Sequence, residues 1–429
     1  MTESVSDNFP TLVRQLLDRQ AESRSLDYKA PMSFGPAKKD KGKILQDIVA
    51  LSNTRDGGYV LIGVEQTGGR FVPAGISAEQ AASFDPTRIG EFAKNHFSLL
   101  PEVSSHVVAI DGIDLLLLRV GEFDNEPIVC TKDLHDENSK AILRAGSIYV
   151  RTVDARSIAI DSGESMRAFL DLAVQKRGEA LLTQIRGLVG SPLIIEASGP
   201  PDAYQSEIAS AADLYSKEEL TSPKAYWYVE ILPRVYDKER VPTVVRLKEI
   251  RRESVVSLRG WDFPHVDREN DHIFEDGIQS VTHWAHYHEA HRFYRSGLFT
   301  WRSLISEDFT DRYAGSISYV SAIYTITEYF VFASRCAALV ADSGDFIIHL
   351  GVTGLKDHVL RSDPGIFFHD YSTGAERFDR SYDVSLEELR SSHLDLAADA
   401  ARRLFDLYGL DITLDVIREW QEKFTNRRF

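Results

Sequence analysis

The run Tyr59-Val60-Leu61-Ile62-Gly63-Val64 carries no charge and lies between the paired glycines Gly57-Gly58 and Glu65. An apolar run without alternation predicts a strand covered on both faces, central in its sheet. The glycines permit positive φ and close backbone approach. Just upstream, Ile44, Leu45, Ile48, Val49 and Leu51 recur at helical spacing, and Asn53 to Gly58 reads as a helix stop and turn. Leu26-Asp27-Tyr28-Lys29 alternates apolar and charged residues, a strand with Asp27 and Lys29 on one side. Pro31 ends it, because proline donates nothing to a ladder. This strand-helix-strand unit is able to bring Glu22, Asp27 and Glu65 together, with Lys29 beside them.

The remaining pattern predicts an α+β chain. Phe9 to Ala21 reads as a helix with Leu12, Leu16 and Leu17 on one face. Residues 32–43 read as a loop carrying Lys38, Lys39, Lys41 and Lys43, either a solvated charge run or a phosphate-facing segment. A short helix is expected at Pro86 to His96. Strands are expected at Val103–Ile110 and Asp114–Val120, joined by a hairpin, and at Pro127–Thr131 and Ile148–Arg151. Arg144, Arg151 and Arg156 cluster around the last of these. A helix from about Gly163 to Val189 closes the first part, and Gly190-Ser191-Pro192 begins a linker or the next part. Beyond it, Tyr226–Val235, Pro242–Ile250, Val255–Leu258 and Phe346–Val352 read as strands. Ala314–Val340, Ser385–Tyr408 and Leu414–Phe424 read as helices.

The length of 429 residues favours two domains, expected at 1–190 and 192–429. The net charge of −16 argues against a protein that coats nucleic acid by charge alone. Residues 1–190 hold 22 Lys+Arg against 26 Asp+Glu, a net of −4; the remainder holds 27 against 39, a net of −12. The first part is therefore balanced enough for a local basic face, and the second is acidic. The two cysteines, Cys130 and Cys336, build neither a disulfide framework nor a Cys-x-x-Cys zinc pair, which points to a reducing, cytoplasmic setting. The acidic, polar opening residues do not read as a signal peptide, and the apolar Tyr319–Val340 stretch is interrupted by polar residues, as in a buried helix.

Carboxylates held a few ångströms apart repel unless a cation lies between them. For an all-oxygen site that cation is Mg²⁺ or Mn²⁺, which activates water and neutralises phosphate charge. A lysine along the same strand face is placed to hold the phosphate. The bland alternative is a set of surface carboxylates in salt bridges.

Three blocks together, E-S-R-S-L-D-Y-K, A-L-S-N-T-R-D-G-G-Y-V-L-I-G-V-E and G-S-I-Y-V-R-T-V-D-A-R, resemble the Schlafen AlbA-like domain over about residues 10–190. The resemblance implies a mixed sheet with flanking helices. It implies an active-site trio at Glu22, Asp27 and Glu65, with Asp and Glu exchanged at the last two places relative to familiar nuclease members. Lys29 would contact the scissile phosphate, and Lys38, Lys39, Lys41, Lys43, Arg144, Arg151 and Arg156 would grip the backbone. The implied activity is a Mg²⁺- or Mn²⁺-dependent endoribonuclease acting on structured RNA such as tRNA. A homodimer would supply a second lobe, and the acidic C-terminal domain would sense a phage-derived or protein trigger, as in an antiphage effector. Two other readings stand beside it: a non-catalytic DNA- or RNA-binding transcriptional regulator, and a protein-interaction scaffold with a structural trio. No phosphate-loop motif supports ATP hydrolysis.

Last, His283 to Tyr294 interleaves histidines and aromatics. As one helix it would align His283, His286 or Tyr287, and His291; as one strand, His286 and His288. Either could hold Zn²⁺, and a packed aromatic surface is the plainer reading.

Overall fold

The computed structural model describes residues 9–177 and 200–425, apart from positions 36, 125, 153, 164, 175 and 362–370. The chain forms two compact units, both α+β. One comprises Met1–Gln184 with Ser257–Trp261 and Thr425–Phe429, the other Ile185–Val256 with Asp262–Phe424. The expected linker at 190–192 and the far half of the expected 163–189 helix lie outside the described residues.

The first unit is built on β1 (Leu26–Lys29), β2 (Gly58–Ile62), β5 (Val103–Ile110) and β6 (Ile113–Val120), in the order β1-β2-β6-β5. β1 runs parallel to β2, and the other pairs are antiparallel. Strand β2 is central and wholly buried, as its composition requires. Its alternate side chains feed two cores. Val60 and Ile62, with Leu116 and Leu118, meet Ile44, Leu45 and Ile48 of α2 (Lys38–Ser52). Tyr59 and Leu61, with Leu115 and Leu117, meet Phe9, Leu12, Val13 and Leu16 of α1 (Phe9–Asp18). Each such buried side chain contributes on the order of 1.5–3 kcal/mol, so the strand is fixed from both sides.

Several expectations are corrected here. Residues 38–43 are not loop: α2 begins at Lys38, so the four lysines ride its first turns. Gly63, at φ +98°, ends β2, and Glu65 falls in a separate hairpin of β3 (Val64–Thr67) and β4 (Arg70–Pro73). An unexpected helix, α3 (Ala78–Ser83), is secured by a capping box between Ser77 and Gln80 and precedes α4 (Pro86–Lys94). Pro127–Thr131 makes only an isolated bridge, Cys130 to Phe97. Short pairs β7 (Leu134–His135) with β8 (Ala141–Leu143), and β9 (Tyr149–Arg151) with β10 (Ser157–Ala159), follow, and the described residues between 163 and 177 are helical.

The second unit carries a seven-stranded antiparallel sheet. Its strands are β11 (Tyr226–Pro233), β12 (Asp271–Phe274), β13 (Gly277–Trp284), β14 (Tyr287–Tyr294), β15 (Phe299–Leu304), β17 (Asp345–Thr353) and β19 (Arg377–Ser385). The order is β12-β13-β14-β15-β11-β17-β19; β16 (Ser316–Ser318) pairs separately with β18 (Val359–Arg361). The unit also holds helices α5 (Gln205–Lys217), α6 (Val244–Ser254), α7 (Tyr319–Val340), α8 (Leu386–Leu407) and α9 (Leu414–Thr425). The 242–250 stretch expected as strand is α6. Thr243 caps it by accepting from Arg246 N–H, and Leu247, Ile250, Arg251 and Ser254 form its buried face. Val255–Leu258 contributes only a bridge from Val256 to Phe263. By length and hydropathy α7 is the one described helix able to cross a membrane, and 72% of its apolar window is buried inside the protein.

Candidate nucleic-acid interface and acidic cluster

Alternation along β1 puts Asp27 and Lys29 on one side, and the structure joins them: Lys29 Nζ lies 2.7 Å from Asp27 Oδ2. The same ammonium lies 2.9 Å from Asp47 Oδ2, carried by α2. Asp27 is 3% exposed. Its other oxygen accepts from Arg151 Nη1 at 3.2 Å, and that guanidinium also donates to Ser157 Oγ and to the carbonyls of Ser23 and Leu26. Two carboxylates and two cations thus tie β1, α2 and β9 together with balanced formal charge.

Burial pushes the Asp27 carboxyl above its ordinary range, against the pull of Lys29 and Arg151, and Glu22 adds to the rise. Burial also raises Asp47, reinforced by Asp27 and opposed by Lys29. For Lys29, burial disfavours the charge, but Asp47 and Asp27 outweigh it and hold the ammonium protonated well above the usual lysine range.

The other members of the expected trio are placed differently. Glu22 is half-buried and accepts the Tyr28 N–H at 3.2 Å. Glu65 is exposed on β3, in register with Val72 of β4. Among the described residues, no three His, Cys, Asp or Glu side chains are arranged to hold a metal ion. The space between the Asp27 and Asp47 carboxylates is taken by Lys29 Nζ, so this side-chain arrangement does not fit Mg²⁺ or Mn²⁺. Sequence reasoning missed Asp47. The signal was a lone carboxylate between Leu45 and Ile48, in a helical run whose other members from Ile44 to Leu51 are apolar except Gln46.

The basic residues also separate. Lys38, Lys39 and Lys43 are exposed, and the Lys41 ammonium lies 5.7 Å and 5.4 Å from the ring centres of Phe34 and Phe92. The N-cap residue Ala37 offers no side-chain bond, so the first N–H groups of α2 are uncapped from that position. Arg144 and Arg156 are exposed, and Arg156 Nε pairs with Asp154 at 2.6 Å. Arg151, expected on a binding surface, is instead buried against Asp27. The histidine stretch is neither one helix nor one strand. It is the β13–β14 hairpin, which pairs His283 with His288 and buries His291 beside Arg251.

Residues 22–157 match the family described as "Schlafen, AlbA_2". Solved structures with similarity include the DIP2311 protein of Corynebacterium diphtheriae, at 17% identity and TM-score 0.23, over 49% of this chain and 35% of that one. This chain therefore spans about a third of that protein's length. Another is the N-terminal domain of a putative ATP-dependent DNA helicase RecG-related protein from Nitrosomonas europaea, at 21% identity and TM-score 0.21, over 30% of this chain and 87% of that one. No curated protein matches.

Proposed function

Residues 22–157 being a Schlafen AlbA_2 domain, with the nucleic-acid-related role that implies, we propose that the first unit binds the sugar-phosphate backbone of structured RNA at the N-terminus of α2. The observation that carries this is the placement of Lys38, Lys39 and Lys43, all exposed, on the opening turns of a helix whose N-cap side chain is alanine. Lysines at a helix N-terminus oppose the macrodipole, at about 0.3–1 kcal/mol each. An anion there reverses the sign: it accepts from the open N–H groups and pairs with the ammonium groups. Lys41, over its two rings, orients the turn. The Asp27-Lys29-Asp47-Arg151 set, buried at Asp27 and Arg151, holds α2 against β1 and so fixes where that N-terminus points. Gel retention of a small-RNA pool tests this. Wild type should retain RNA, and Lys38→Glu/Lys39→Glu/Lys43→Glu should not; equal retention by both would overturn it.

A second reading is a metal-dependent endoribonuclease, acting on tRNA or similar RNA through Glu22, Asp27, Glu65 and Lys29. One observation favours it: a carboxylate and an ammonium 2.7 Å apart at the end of β1, next to a second, partly buried carboxylate. It requires Lys29 to leave the space between Asp27 and Asp47. In that reading the acidic second unit receives the trigger and a homodimer completes the RNA-binding surface. Cutting of the same pool in Mn²⁺ but not EDTA, abolished by Asp27→Asn, would establish it.

A further inference from the structure

The β13–β14 hairpin turns on Ala285 and His286, with Trp284 opposite Tyr287 as its closing pair. In a two-residue hairpin the closing pair is hydrogen-bonded, so the next pair out is not, and its side chains approach most closely. That next pair is His283 and His288. Their rings face one another, Nδ1 to Nδ1, at 3.0 Å. Two nitrogens bound tetrahedrally to one Zn²⁺, at about 2.0–2.1 Å each, stand about 3.3 Å apart.

The surroundings prepare these rings as ligands. His283 Nε2 lies 3.1 Å from Glu218 Oε2, just beyond the end of α5. An ionised carboxylate only accepts, so in the neutral ring Nε2 carries the proton and Nδ1 presents its lone pair. Metal-binding histidines are oriented by this kind of outer carboxylate. The His288 ring lies 4.4 Å from that of Phe309.

We propose that His283 and His288 chelate one late first-row divalent ion of the Zn²⁺ type through their facing Nδ1 atoms, with Glu218 as the outer carboxylate. Imidazole nitrogen selects such ions over Mg²⁺. With two protein ligands, water fills the remaining positions. The ion would tie the hairpin tip to the segment after α5. This site is independent of the nucleic-acid reading.

The test titrates Zn²⁺ alone into EDTA-stripped, dialysed full-length protein by calorimetry. Wild type should bind one equivalent, and His288→Ala should lose it. Glu218→Gln should bind roughly 10–100-fold more weakly, and His272→Ala, at an exposed histidine on β12, should match wild type. To separate lost binding from misfolding of a hairpin variant, wild-type imidazole ¹⁵N shifts are read as well: Zn²⁺ should move Nδ1 of His283 and His288. No binding by wild type, equal loss in His272→Ala and His288→Ala, or unmoved Nδ1 shifts would each overturn the proposal.

Discussion

Lys29 on β1 and Asp47 on α2 form an ion pair at 2.9 Å, and that contact locks the helix bearing the exposed lysines to the strand bearing Asp27. The pair gives the acidic residues a structural task in orienting the basic ones.

Arg151 is the most buried member of that network, and its side chain is 1% exposed. Removing it leaves Asp27 buried with one partner instead of two. Breaking a buried pair in this way typically costs about 3–5 kcal/mol. Arg151→Met should therefore lower the urea midpoint of the first unit by that equivalent, with its m-value unchanged.

The raised carboxyls of Asp27 and Asp47 give a pH signature. A carboxyl with a folded pKa above its unfolded one favours folding when protonated. Its contribution is present below the ordinary carboxylate pKa and fades as pH rises through the folded value. Stability of the first unit should thus fall as pH rises above the ordinary carboxylate range. Asp47→Asn should flatten that slope in urea melts taken across pH.

His349 gives a second signature, in the other unit. Its Nδ1 lies 2.9 Å from Glu230 and its Nε2 2.8 Å from Asp379, which also accepts from the Tyr228 hydroxyl at 2.9 Å. Burial opposes the charge, yet hydrogen bonds to Asp379 and Glu230 raise the pKa to about 9. The stabilisation is complete below the unfolded histidine pKa and is lost as pH climbs through about 9. Thermal melts of wild type should lose stability across that window, by at most about 3 kcal/mol, and His349→Phe should not.

Gly57 sits at φ +62°, and a Cβ there would come within 2.2 Å of the Val120 carbonyl oxygen. Gly57→Ala meets both backbone strain, about 1–2 kcal/mol, and that clash. A loss exceeding the strain alone is expected by chemical denaturation.

Much of the first unit was legible because its signals are local. The uncharged run at 59–64 could only be a covered strand, and alternation alone placed Lys29 beside Asp27. Asp47 was hidden because its partner lies on another element, and helical spacing does not say which strand a helix covers. The lysines were misread as loop because proline, glycine and charge outweighed the helix formers among them. Thr243 was a helix cap preceding two valines whose β preference pointed the other way. The His283–Tyr294 hairpin lacked a turn signal, since Ala285-His286 contains neither glycine nor asparagine, although Ala285 adopts φ +50°.

The most direct test of the central claim is the salt dependence of RNA binding, read by fluorescence anisotropy in EDTA. Wild type should show a steep linear fall of log Kobs with log salt. For Lys38→Glu/Lys39→Glu/Lys43→Glu the slope should be shallower by about two to three. A wild-type slope near zero, or one unchanged by the three substitutions, would contradict it.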